Sequence, residues 1–144
     1  MLAPLLSSPY TERFPQPTYV LLQNGLNVEK DLYEALSALS LPTPRIISTA
    51  LYIMANMLSP NVVQHNDMDK VIMGVYRHKD MTTTTNTLEE QAALEELADM
   101  FVSGGGTAEI VPEIQRRKYA KNALNVTFSG ICALTRWVSC LPSR

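Results

Sequence analysis

The chain of 144 residues contains no G-x-G-x-x-G and no G-x-x-x-x-G-K-[ST], so neither common glycine-rich phosphate cradle can be read in it. Cysteine is scarce: Cys132 and Cys140 are the only two, eight apart. That spacing matches no zinc pattern, and two cysteines do not make a disulfide framework. His65 and His78 fall in different segments with no third ligand at metal spacing, so no metal is expected. No Ser/His/Asp or Cys/His constellation can be assembled either. Charge of neither sign dominates, at a net −2, and no basic stripe carries interleaved aromatics, which argues against a nucleic-acid partner. No apolar run approaches the roughly 18 residues of a membrane span. The opening "MLAPLLSSPYTERF" has no basic n-region and too short an apolar stretch for a signal peptide. The expectation is a reduced, cytoplasmic protein of ordinary domain size, with no membrane partner.

What the sequence does have begins at "YVLLQNGLNVEKDL" (19–32). Before it, four prolines (Pro4, Pro9, Pro15 and Pro17) allow at most a helical turn at Leu2–Ser7 and then an extended lead-in. Tyr19 to Leu22 is an unbroken apolar run, suited to a strand covered on both faces. Gln23-Asn24-Gly25 breaks it with a turn signal. Val28, Leu32, Ala35, Leu36 and Leu39 then recur at helical spacing, until Pro42 and Pro44 stop the helix. Strand, polar turn, helix is the unit at whose strand carboxyl end open α/β sheets bind ligands. A β-rich section follows: Ile46 to Met54, a turn at "SPN" (59–61), Val62 to His65, and Lys70 to Tyr76, with antiparallel pairing expected. Beyond a polar loop at 78–87, a helix is predicted over 88–103, then a short strand at Thr107–Val111. "SGGGT" (103–107) follows a helix and precedes a strand, the reverse of a phosphate loop, so Gly104 is expected as a left-handed C-cap.

From Glu113 one long helix is predicted to about Val138. Most of its circumference is apolar, yet Lys118, Lys121, Asn122, Asn125, Ser129, Cys132 and Arg136 fall within one stripe about 100° wide. Lys121, Asn125 and Ser129 stack on successive turns. Polar groups on a mostly buried helix need partners, because an unpaired amide or ammonium costs several kcal/mol. Structural hydrogen bonding is the commoner answer, and a polar ligand in a cleft is the other.

Taken together, "VLLQNGLNVEKDL" and, about a hundred residues on, "VPEIQRRKYAKNALNVTFSGICALTR" resemble the ketopantoate reductase family (2-dehydropantoate 2-reductases), especially fungal-looking members. The intervening "RIISTALYIMANMLSPNVVQHNDMDKVIMGVYR" is similar to the β-rich stretch closing that family's cofactor domain. The resemblance implies an α/β fold: the C-terminal part of a Rossmann-like NADP-binding domain, followed by the first long helix of an all-α domain. On that reading residues 1–112 form a partial cofactor domain and 113–144 begin the helical substrate and dimerisation domain.

The family implies NADPH-dependent reduction of 2-dehydropantoate, a small 2-keto acid, to pantoate in coenzyme A biosynthesis. It assigns Asn24 and Gly25 to the nicotinamide end of the cofactor. Asn24 also lies near the substrate, with Asn125 and Ser129 as further substrate contacts. Lys121 matches the general acid that protonates the carbonyl oxygen, with Lys118 a rival one turn earlier. Ser129 stands where the family commonly has asparagine. The family's N-terminal glycine-rich loop and later substrate-binding residues have no counterpart, so the chain looks truncated at both ends. Alone it is expected to be inactive and to self-associate. The alternative is a non-catalytic α/β fragment or an interaction module derived from a reductase.

Overall fold

The computed structural model describes residues 13–14, 16–39 and 43–135. The expected turn at Leu2–Ser7, Pro42, Arg136, Cys140 and a helix end near Val138 lie outside them. In chain order the elements are β1 (Tyr19–Leu21), α1 (Lys30–Ser37), β2 (Ile46–Ser59), β3 (Val62–Val75), α2 (Leu88–Ser103), β4 (Thr107–Ile110) and α3 (Ile114–Thr135). They build one four-stranded sheet in the order β1-β2-β3-β4. Two parallel pairs, β1 with β2 and β3 with β4, flank an antiparallel hairpin of β2 and β3. Each parallel pair is bridged by a helix, as parallel neighbours require. The result is a Rossmann-like α/β unit with a mixed sheet.

Alternation along β2 and β3 divides the sheet into two faces. Ile47, Val71, Met73 and Val75 point to the side covered by α2, whose Leu94 is fully buried among them. On the other side α1 packs Leu32 and Leu36 against Tyr19 and Ile46. The start of α3 sets Ile114 against Ala50, Ile72 and Val111 on that same side. Gly74 makes this close approach possible. A Cβ there would stand 2.2 Å from the Val111 carbonyl oxygen and 2.8 Å from Ile114 Cβ.

The predicted helix at 88–103 is found, opened by a capping box in which Thr87 and Glu90 satisfy each other's backbone N–H. Four sequence expectations need correction. The two strands expected at 62–65 and 70–76 are one strand, β3. Its pairing with β2 jumps from Ile53↔Asp69 to Met54↔Asn66, so residues 67 and 68 are accommodated as a bulge. Gly104 is not left-handed (φ −79°); Gly105 is, at φ +88°. Gly106 N–H then bonds Phe101 O and Gly105 N–H bonds Val102 O, the double closure of a Schellman motif. β1 is not covered on both faces, since Val20 and Leu22 are exposed. α3 is not mostly buried: Ile114 and Lys118 are its buried residues, and Leu124, Val126, Phe128, Ile131 and Leu134 are exposed.

Candidate functional site

The site forms where β1 ends. The backbone turns through positive φ at Gly25 (110°) and Asn27 (59°), conformations that glycine and asparagine tolerate. Asn24 is thereby turned toward β2. Its Oδ1 accepts from Leu51 N–H at 3.0 Å and its Nδ2 donates to Leu51 O at 3.4 Å, so the side chain mimics a further strand residue. Thr49 Oγ1 donates to Leu21 O at 2.8 Å and fastens the last residue of β1 to the same strand.

α3 crosses this end of the sheet and delivers Lys121. The ammonium donates to Asn24 Oδ1 at 3.1 Å and lies 4.1 Å from the centroid of the Tyr52 ring. A cation over an aromatic face is held by the ring quadrupole while losing part of its water. Burial holds the Lys121 ammonium below the ordinary lysine value of 10.5. Asn24, Gly25, Ala50, Lys118, Lys121, Asn122 and Asn125 line one small polar cleft. Of the residues expected in a site, Asn24, Gly25, Lys121 and Asn125 therefore come together. Ser129, one further turn out, is exposed and does not line the cleft.

Lys118, the rival to Lys121, is held in a separate buried cluster. It is only 3% exposed, and its ammonium donates to Glu29 Oε1 and, at 3.0 Å, to Ser48 Oγ. Glu29 is fully buried at the N-cap of α1 and also accepts from Ser48 Oγ. Burial pushes the Glu29 carboxyl up. Hydrogen bonds from Lys118, Ser48 and its own backbone, with the Lys118 charge, outweigh that and leave it below 4.5. Sequence reading missed Glu29 and Ser48. A lone glutamate at a helix start reads as a solvated, dipole-compatible residue, and its partner lies 89 residues away.

A larger cavity, of about 550 Å³, opens beside the first turn of α3, between the 80–84 loop and residues 112–116. Its guanidinium at Arg77 is already engaged by Pro112 O, Thr85 O, Asn86 and Glu90, and neither Lys118 nor Lys121 reaches it. Among the described residues, no group of three or more His, Cys, Asp or Glu could hold a metal ion. No helix among them is long and apolar enough to cross a membrane.

Residues 8–78, which contain β1, the Asn24 turn, α1 and the β2–β3 hairpin, match the family model described as ketopantoate reductase PanE/ApbA. Over these residues, just under half of the chain, the sequence is similar to the ketopantoate reductase family. No curated protein sequence matches it. Among solved structures, 2-dehydropantoate 2-reductase from Geobacter metallireducens GS-15 aligns at 29% identity and TM-score 0.58, over 81% of this chain and 34% of that one. The enzyme of the same name from Methylococcus capsulatus aligns at 20% identity and TM-score 0.62, over 85% and 34%. A complex of D-mandelate dehydrogenase with NADH aligns at 20% identity and TM-score 0.62, over 94% and 40%. The last two likenesses establish the fold, a Rossmann-like unit. The chain spans about a third of the length of the reductases it matches.

The residues present suit the nicotinamide end of a dinucleotide, and the sequence carries no glycine-rich turn for its phosphates. Asn24 and Gly25 stand at the carboxyl end of β1, where open α/β sheets bind ligands, with a cation beside them.

Proposed function

We propose that the chain carries the proton-donating part of a reductase that converts 2-dehydropantoate to pantoate with NADPH, a step in coenzyme A biosynthesis. One observation supports this above the others: the Lys121 ammonium rests against Asn24 at the carboxyl end of β1, in a cleft shared with Asn125. When bound, the nicotinamide supplies hydride to the keto carbon. Negative charge then develops on the keto oxygen, and an ammonium beside it both stabilises that charge and gives up a proton. A lysine held below its ordinary pKa by burial is the better donor near neutral pH. Asn24 orients the ammonium through its Oδ1, and Leu51 fixes the amide so that the acceptor faces Lys121. Asn125, one turn on from Lys121, is the substrate contact, and Ser129 joins it only if the substrate extends outward along α3.

On this reading residues 1–112 belong to a cofactor domain and 113–144 begin a helical one. The 144 residues alone are inactive for want of a phosphate site. The test is a chimera in which this chain replaces the matched third of the Methylococcus capsulatus enzyme. Oxidation of NADPH dependent on 2-dehydropantoate supports the reading, and a folded chimera without it sinks the reading.

A second reading, an interaction module derived from a reductase, is favoured by exposed apolar side chains. They include Phe128 and Leu134 on α3 and Met57, Leu58 and Val63 at the hairpin tip.

A further inference from the structure

The charged cluster beneath the cleft has a purpose beyond stability. α3 touches the sheet through few side chains. Ile114 in its first turn is fully buried, Lys118 in its second is 3% exposed, and no later residue of the helix is buried. Lys118 is thus the last firm anchor before Lys121, which follows three residues later on the same helical face. An apolar residue at 118 would also bury, but dispersion is non-directional and leaves the helix free to roll. The lysine is directional: its ammonium is shared by Glu29 Oε1 and Ser48 Oγ, which in turn bond each other. Three groups from α1, β2 and α3 close on one point.

The same strand fixes the other side of the cleft. β2 supplies Ser48 to Lys118 and the Leu51 backbone to Asn24. It therefore sets where both the ammonium of α3 and its amide acceptor must sit.

We propose that the buried Glu29–Ser48–Lys118 cluster is a positioning device: it fixes the roll of α3 on β2 so that Lys121 meets Asn24 and the Tyr52 ring. That Lys121 is a proton donor belongs to the reductase reading on which the cluster's functional meaning rests. The placement itself can be tested without any activity. Glu29, Ser48 and Lys118 act through Lys121 and are positioning residues.

The test is NMR on the full 144-residue chain. An ammonium 4.1 Å from the Tyr52 ring centroid places the adjoining Lys121 ε-methylene in the ring's shielding cone, so its protons resonate upfield of the other lysines. Lys118→Met keeps a long apolar stem and removes the charge; it should return the Lys121 ε-protons to the ordinary lysine position. It should also abolish their cross-relaxation with the Asn24 side-chain amide. Leu94→Ala, on the opposite face of the sheet, destabilises without touching the cluster and should leave both signals in place.

If Lys118→Met does not fold, Ser48→Ala removes only a hydroxyl and should move the same signals part of the way. Folded Lys118→Met, or failing that Ser48→Ala, with wild-type Lys121 signals overturns the proposal. So does Leu94→Ala shifting them equally. Failure of the chimera to turn over would count against the reductase reading and leave this result untouched.

Discussion

Lys118→Ala should be among the most destabilising single substitutions in the chain. Glu29 is fully buried and Lys118 is 3% exposed, so the pair is screened by almost no water. Glu29 Oε2 is buried with no hydrogen-bond partner, and the carboxylate therefore depends on what Oε1 receives. Removing the ammonium leaves only neutral donors, the Ser48 hydroxyl and Glu29's own backbone, to hold a buried anion. Breaking a buried pair from one side costs about 3–5 kcal/mol, a large part of a typical stability of about 5–15 kcal/mol. At roughly 3 °C per kcal/mol for a chain of this size, the midpoint should fall by about 10–15 °C.

The pH dependence carries a second signature. In the wild type the folded Glu29 pKa lies below its ordinary 4.5. The pair therefore adds stability above that value and loses it as pH falls through the folded pKa. In Lys118→Ala burial acts nearly alone and raises the carboxyl, so the deficit should be greatest near neutrality and shrink toward pH 4–5. Urea unfolding followed by circular dichroism at pH 7 and pH 5 measures both. Glu29→Gln with Lys118→Met should recover much of the loss, because two uncharged groups leave no stranded ion. A loss of under about 1 kcal/mol at pH 7, typical of exposed pairs, would refute the buried-pair reasoning.

Gly74→Ala should destabilise by about 1–3 kcal/mol or more, because its Cβ meets the Val111 carbonyl and Ile114; a thermal melt matching wild type would mean α3 sits elsewhere. Nicotinamide fluorescence should show no saturation of the 144-residue chain at micromolar NADPH, since most dinucleotide affinity comes from pyrophosphate on a glycine-rich first turn. Micromolar binding would show that the chain holds the phosphates without a glycine-rich turn. Light scattering should report oligomers, driven by the exposed apolar residues of α3 and the hairpin; a clean monomer would remove the support for an interaction module.

Local signals were legible in the sequence wherever one segment decides its own conformation. The strand in the apolar run at 19–22 (though not its coverage on both faces), the turn at Asn24-Gly25 and the helix at 88–103 emerge as read, because periodicity and turn chemistry act over a few residues. Asn66 to Asp69 look like a strand break and are instead a bulge within β3, since polar residues interrupt the pattern without ending the pairing. The stripe on α3 correctly groups Lys118, Lys121, Asn122 and Asn125 in one cleft. It could not tell which lysine is buried. That is decided by Glu29, which is far away in sequence and whose meaning depends on α1, β2 and α3 meeting. The apolar circumference of α3 suggests burial, but beyond Lys118 the helix leaves the sheet and its outer half is exposed.

Kinetics of Lys121→Ala in the chimera is the most direct measurement. If Lys121 is the general acid, kcat should fall about 10²- to 10⁴-fold with little change in NADPH affinity, because the ammonium serves the keto oxygen and not the phosphates. Lys118→Ala should instead lower the amount of folded enzyme, with turnover per folded molecule falling only as far as Lys121 is displaced. A Lys121→Ala chimera that keeps near-normal kcat would contradict the assignment of proton donation to this lysine.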